Sequence, residues 1–192
     1  MTYYEALLFL HISAVAVWVG AAVLWDVLFF RAKQAGDTVL AERIGAHSEW
    51  LARRLFIPSA LAVLVLGILL TIESPWGFGD LWIVLGLAAW AITFLVGIAG
   101  IEPQAKRIHA AVERGGPNDP EVAWRGRRIA ALNYFDNMLL FLIIADMAIK
   151  PTSDDVGLLV VGAAIAVVAI GLVARVWRAP APAEAAAAAP QV

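Results

Sequence analysis

Few side chains of this 192-residue chain could do chemistry away from water, and they fall in two apolar stretches. The first, Tyr4 to Phe30, holds His11 and Asp26; the other, Ile129 to Ile149, holds Asn133, Asp136, Asn137 and Asp146. His11, Trp18 and Trp25 are spaced seven apart, so on a helix they share a face. As an axial ligand His11 would offer an imidazole nitrogen to the iron of a haem b, with Trp18 and Trp90 as packing surfaces for the porphyrin. The simpler reading is a neutral histidine linked to a neighbouring helix. A bis-histidine haem is disfavoured, because His47 and His109 lie in charged segments at another depth. Asn133, Asp136 and Asn137 recur at i, i+3 and i+4, one helix face. With Asp26 they form an expected polar cluster, suited to a proton or cation but more simply a bundle-facing network paired with Arg53, Arg54 or Arg128. Asp146 and Lys150, four apart with the acid first, read as an ion pair. Copper favours sulfur and imidazole ligands. His11 and Met147, at similar depth, are the best such pair here, since the chain has no cysteine to supply a thiolate or a disulfide.

The elements that carry these residues are set by hydropathy. Hydrophobic residues make up 62% of the chain and its mean hydropathy is +0.81, above the roughly 45–50% apolar share of a soluble domain. Apolar stretches at 4–30, 55–72, 81–101, 129–149 and 156–176 each approach the ~20 residues a spanning helix needs. The expected fold is therefore all-α, a transmembrane bundle of five spans in a single domain over 1–178. The Ala/Pro-rich remainder, 179–192, reads as a disordered tail.

Charge gives the direction of the spans. Of the fourteen Lys and Arg residues, thirteen occur in alternate gaps: Arg31 to Arg54 after span one, Lys106 to Arg128 after span three, and Arg175 and Arg178 at the end of span five. Lys150 alone is on the other side. The positive-inside rule then puts the N-terminus outside and the C-terminus in the cytoplasm, in a multi-pass protein of the inner (plasma) membrane. The first apolar run is about twice the length of a signal-peptide core of roughly 7–15 residues and reads as a retained helix.

Between spans one and two, Gly36, Asp37 and Thr38 supply a break and a cap. The segment beyond alternates apolar and charged residues at helical spacing, as a surface-lying amphipathic helix does. It is expected to feed span two past Pro58, tolerated early or as a kink. Trp76, Gly77, Gly79 and Asp80 make the next turn. Pro103 suits the first turn of a basic helix, and Asp119 with Pro120 suits the cap and first turn of a helix running into span four. Trp50, Trp76, Trp82, Trp124 and Trp177 near helix ends form an interfacial belt. No nucleic-acid motif accompanies the basic loops. Ala16 and Gly20 have the small-residue spacing of close helix packing, within the bundle, in a homo-oligomer or against a membrane protein partner.

Two sets of residues carry a resemblance: His11, Trp18 and Gly20 in the first span, and Asp146, Met147, Lys150 and Pro151 closing the fourth. Over roughly residues 1 to 151 the chain resembles a small bacterial family of predicted integral membrane proteins of unknown function. That family is distantly similar to the copper-resistance D proteins and the HemJ-type protoporphyrinogen oxidases. The HemJ likeness implies a haem-ligating histidine, which carries over to His11, and a functional lysine in a later span, for which only Lys150 at a span's edge is present. The copper-resistance likeness implies periplasm-facing metal handling. No catalytic motif stands out, so the leading expectation is a non-enzymatic binding or accessory module embedded in the lipid bilayer. A haem- or porphyrin-associated redox protein using His11 is the first alternative, and a copper or cation transporter the second.

Overall fold

The computed structural model describes residues 2–182, and all regular structure in that range is helical. Residues 183–192, most of the expected tail, lie outside the described range. Among the described residues eight α-helices are complete: α1 (Tyr3–Gln34), α2 (Thr38–Ala46), α3 (Ser48–Leu51), α4 (Ile57–Glu73), α5 (Leu81–Leu95), α6 (Glu102–Gly115), α7 (Pro120–Ile149) and α8 (Val156–Trp177). Five helical stretches are long and apolar enough to cross a membrane: Tyr3–Gln34, Val39–Glu73, Leu81–Gly115, Pro120–Ile149 and Val156–Trp177. Four of the five reach well beyond their apolar cores, because charged sequence continues the helix past the bilayer edge.

Local chemistry explains most helix ends. Thr2 and Glu5 form a reciprocal capping box at the start of α1, with Glu5 N–H donating to Thr2 Oγ1 at 3.2 Å and Thr2 N–H to Glu5 Oε2 at 2.7 Å. Asp37 caps α2 through Leu40 N–H, and Asp119 accepts from Glu121 N–H at the start of α7. Gly36 at φ 66° makes the turn after α1, where a side chain would be strained. Lys150, the one non-glycine residue at positive φ among those described, ends α7 in the left-handed conformation.

Pro58, expected early in its helix or at a kink, and Pro103, expected in a first turn, both sit just after π-helical turns. Ala52–Phe56 precedes α4 and Val96–Ile101 precedes α6; Ile57 N–H reaches back to Ala52 O, and Glu102 N–H to Gly97 O. Pro58 and Pro103 follow directly. A proline lacks the N–H for the i−4 carbonyl and its ring crowds that group. Widening the preceding turn relieves the clash while keeping the helix continuous. The expected kink at Pro58 is thus a π-turn one residue upstream, and Pro103 lies inside a continuous helix, not at a fresh start.

The bundle core is a band of apolar contacts where α1, α4, α5 and α7 meet. Trp18, Val19, Ala60, Val63 and Leu140 form it, flanked by Trp90, Phe94 and Ile143, with Leu140 only 2% exposed. Helix α1 packs mainly on α4, α5 on α7, and α8 on the far side of α7. The outward faces are apolar throughout, with Leu24, Val65, Val167 and Val168 among many exposed hydrophobic residues. A soluble protein could not carry such a surface, whereas a lipid-facing helix must. Ala16 and Gly20 belong to that outer surface, with open space beside Gly20.

Candidate functional site

Helix α1 and helix α7 run antiparallel, and this brings Asp26 to the level of Asn133 and Asn137. Both amides come from one face of α7, and each donates to a different oxygen of the same carboxyl: Asn133 Nδ2 to Asp26 Oδ1 at 2.9 Å and Asn137 Nδ2 to Asp26 Oδ2 at 2.5 Å. The spacing of four puts the two amides one turn apart, which matches the bite of a carboxyl group. Asp136 lies within electrostatic range of Asp26, with its Oδ1 and the Asn137 Oδ1 buried and without a hydrogen bond. The cluster is therefore rich in acceptors and short of donors.

Arginine does not supply the partners of Asp26. Arg53 pairs with Glu49 at 2.8 Å on the exposed surface. Arg128 stacks on Trp124 and Trp177, 3.8 and 4.9 Å from the ring centres, and donates to the Trp177 carbonyl at 3.0 Å. The amides win because Asn133 and Asn137 are already at the right depth. A guanidinium at that depth would have to leave water and its aromatic partners.

His11 rests against span two. A side chain at Gly67 would meet the His11 Cε1 at 3.3 Å, so the glycine is what lets the ring approach the α4 backbone. Its Nδ1 is buried and without a hydrogen bond. Trp18, two turns further along α1, is sealed in the core at 7% exposure. Trp90 donates its indole N–H to the Ala60 carbonyl at 2.9 Å and stacks on Phe94 at 5.1 Å. Both tryptophans thus pack in one apolar cluster. A macrocycle seated on Trp18 would have to displace Val19, Ala60 or Leu140, so the residues as packed do not fit a haem. Met147 is placed elsewhere: its Cε fills the space a side chain at Gly86 of α5 would need, with the Asp146 carboxyl alongside. Among the described residues, no group of three or more His, Asp, Glu or Cys is arranged to hold a metal.

The expected Asp146–Lys150 ion pair does not form. Lys150 Nζ lies over the rings of Trp76 and Trp82, at 4.8 and 5.4 Å, and these two rings meet edge to face at 5.7 Å. Both Asp146 oxygens are buried without a hydrogen bond, as is Trp82 Nε1. The reason is local: the left-handed backbone at Lys150 turns its side chain off the α7 face on which Asp146 sits. The aromatic pair then receives the ammonium as a cation–π partner. Sequence reading assigned Trp76 and Trp82 to an interfacial belt and missed this role.

A second aromatic–cation group ties down the other end of the molecule. Trp124 lies between Arg125 and Arg128 and donates its N–H to the Ala179 carbonyl at 3.3 Å. Arg125 in turn bonds Glu121 and the Gln104 side chain of α6. These bonds hold the Glu121 carboxyl below its ordinary range, the Arg125 bond being the largest cause. The i, i+4 spacing of Trp124 and Arg128 was the available signal.

Residues 5–151 match the family model described as predicted integral membrane protein, DUF2269. The chain belongs to this family. The matched region runs from the start of α1 to the residue after Lys150, so it contains His11, Asp26, Asn133, Asp136, Asn137, Asp146 and Lys150, while Trp177 and Ala179, the partners of Arg128 and Trp124, lie beyond it. Helix α8 and the segment beyond it fall outside. No curated protein and no solved structure matches the chain. The family is one of membrane proteins without an assigned activity, and the geometry of this member has to carry any functional reading.

Proposed function

We propose that this protein is a non-enzymatic membrane module, a binding or accessory subunit of the inner (plasma) membrane, with its N-terminus outside and its C-terminus in the cytoplasm. The observation that carries the reading is the engagement of Asp26. An ionisable group in a span is by default a candidate for chemistry, yet here both its oxygens are taken by amides of another helix. Asp26, Asn133 and Asn137 work as a clasp between spans one and four. Trp18 and Trp90 pack the core in the same way. The haem and copper readings, and with them the distant likeness to HemJ-type and copper-resistance D proteins, draw no support from these positions, since His11 and Met147 rest on glycines of different helices.

An accessory subunit needs a face for its partner. The small residues Ala16 and Gly20 face outward from α1 with nothing from the bundle covering Gly20, and small-residue faces let helix backbones come close. The partner is a second copy or another membrane protein. Purification of the tagged chain from its native membrane in mild detergent tests this. A stoichiometric membrane-protein complex, or a homo-oligomer, that is lost on Gly20→Leu is expected. A monomer that turns over a substrate, or carries a bound pigment or copper, would overturn the reading.

A further inference from the structure

An open cleft lies beside the first π-turn, between the end of α3, the start of α4 and Glu102 at the start of α6. A hydrocarbon core of ~30 Å takes ~20 helical residues. Counted from the ends of the helices at Glu73 and Leu81, that length reaches the neighbourhood of Arg54 in one direction and Gly100 in the other. Arg53 and Glu102 therefore sit at the headgroup layer. The cleft there has a volume of about 290 Å³ and is lined by Glu49, Ala52, Arg53, Ile57 and Glu102. That is near the lower limit of the ~300–1,000 Å³ of ligand pockets, room for a headgroup but not for a whole lipid. Ala52 and Ile57 give it an apolar wall, and Ile57 is on the membrane side by sequence.

We propose that this cleft binds the phosphoethanolamine headgroup of a membrane phospholipid. Its lining carries two carboxylates and one guanidinium, so a simple anion would meet Glu49 and Glu102, and a simple cation would meet Arg53. A zwitterion uses both signs. Its phosphate suits the forked donors of Arg53, and its ammonium suits the carboxylates. A primary ammonium has three N–H donors for them, whereas a quaternary choline has none. The cleft is free to exchange partners at low cost. Arg53–Glu49 at 2.8 Å and Lys106–Glu102 at 2.6 Å are both exposed pairs four residues apart, a type that contributes only tenths of a kcal/mol.

The test is lipid retention by the purified full-length protein, measured by native mass spectrometry after equilibration with equal amounts of phosphatidylethanolamine, phosphatidylglycerol and phosphatidylcholine of identical acyl chains. Retained phosphatidylethanolamine is expected to exceed each of the others by up to about five-fold, the factor that an exposed charge pair of at most ~1 kcal/mol supplies. Arg53→Gln combined with Glu102→Gln is expected to abolish the preference, while Arg107→Gln on the same basic helix leaves it intact. Should the double variant fail to fold, Glu49→Gln alone, an exposed change, is expected to cut the preference several-fold. Equal retention of the three lipids, or a preference that survives the cleft substitutions, would overturn the proposal. Displacement of the lipid by soluble O-phosphoethanolamine at equal concentration would overturn the lipid assignment in favour of a water-soluble ligand.

Discussion

Removing the Asp26 carboxyl gives the most informative perturbation of the bundle. Asp26→Ala strands two amide donors, Asn133 Nδ2 and Asn137 Nδ2, that now bond its two oxygens. Interhelical hydrogen bonds inside membranes average ~0.6 kcal/mol and reach ~1.7, so loss of the pair is expected to cost about 1–3 kcal/mol. Asp26→Asn should cost much less. Its remaining oxygen can accept from one amide, and its new N–H₂ can donate to Asp136 Oδ1 or Asn137 Oδ1, both buried and lacking a donor. The assay is reversible unfolding in mixed micelles, read as a double-mutant cycle over Asp26→Ala and Asn133→Ala. A coupling of about 0.5–1.5 kcal/mol is expected. Coupling indistinguishable from zero, or Asp26→Asn as damaging as Asp26→Ala, would refute the view that this cluster joins spans one and four.

Other expectations follow from the same geometry. A cycle over Lys150→Met and Trp76→Ala should show coupling of about 0.5–1 kcal/mol, the value of an exposed cation–π contact, whereas Lys150→Met and Asp146→Ala should be additive; thermal or denaturant unfolding of the three single and two double variants decides. Gly67→Leu must push the His11 ring off α4 and is expected to destabilise by about 1–3 kcal/mol, and a well-tolerated leucine there would show that His11 does not rest on that glycine. The Glu121 carboxyl is held below its ordinary value of 4.5 by Arg125. Its contribution is complete above that value and is lost as pH falls through the lower folded value. Protection factors of the amides at the start of α7, in which the intrinsic pH dependence of exchange is divided out, should therefore be higher at about pH 6 than at about pH 3, with Arg125→Ala removing the difference. For topology, the absence of cysteine makes single reporters clean: Ser74→Cys is expected to label from outside and Ser48→Cys only after permeabilisation.

Much of the fold was legible because spanning a bilayer constrains sequence so strongly. Each apolar run had to satisfy its own backbone as a helix, and the caps at Asp37 and Asp119 formed where the residue types predicted them. The meeting of Asp26 with Asn133 and Asn137 was readable from depth alone, since α1 and α7 run antiparallel. Depth could not say who would bond whom. Arginine was the expected partner for the carboxyl, yet Arg128 is drawn away by Trp124 and Trp177, a contact that depends on how α8 packs on α7. The fate of Lys150 was hidden for a similar reason. Its i, i+4 spacing to Asp146 assumed helical geometry at both residues, and the backbone leaves the helix at Lys150 itself. The π-turns before Pro58 and Pro103 have no signature beyond the prolines, because a proline can be met by a kink, a break or a wider turn.

On the proposed function, Asp26, Asn133 and Asn137 hold spans one and four together and His11 serves no redox cofactor. An absorption spectrum of the detergent-purified protein, expressed with ample haem, tests this most directly. No Soret band is expected in the wild-type protein, and the His11→Ala and Asp136→Asn variants are expected to differ from it in stability alone. A Soret band at stoichiometric intensity that disappears in His11→Ala would contradict the proposed function.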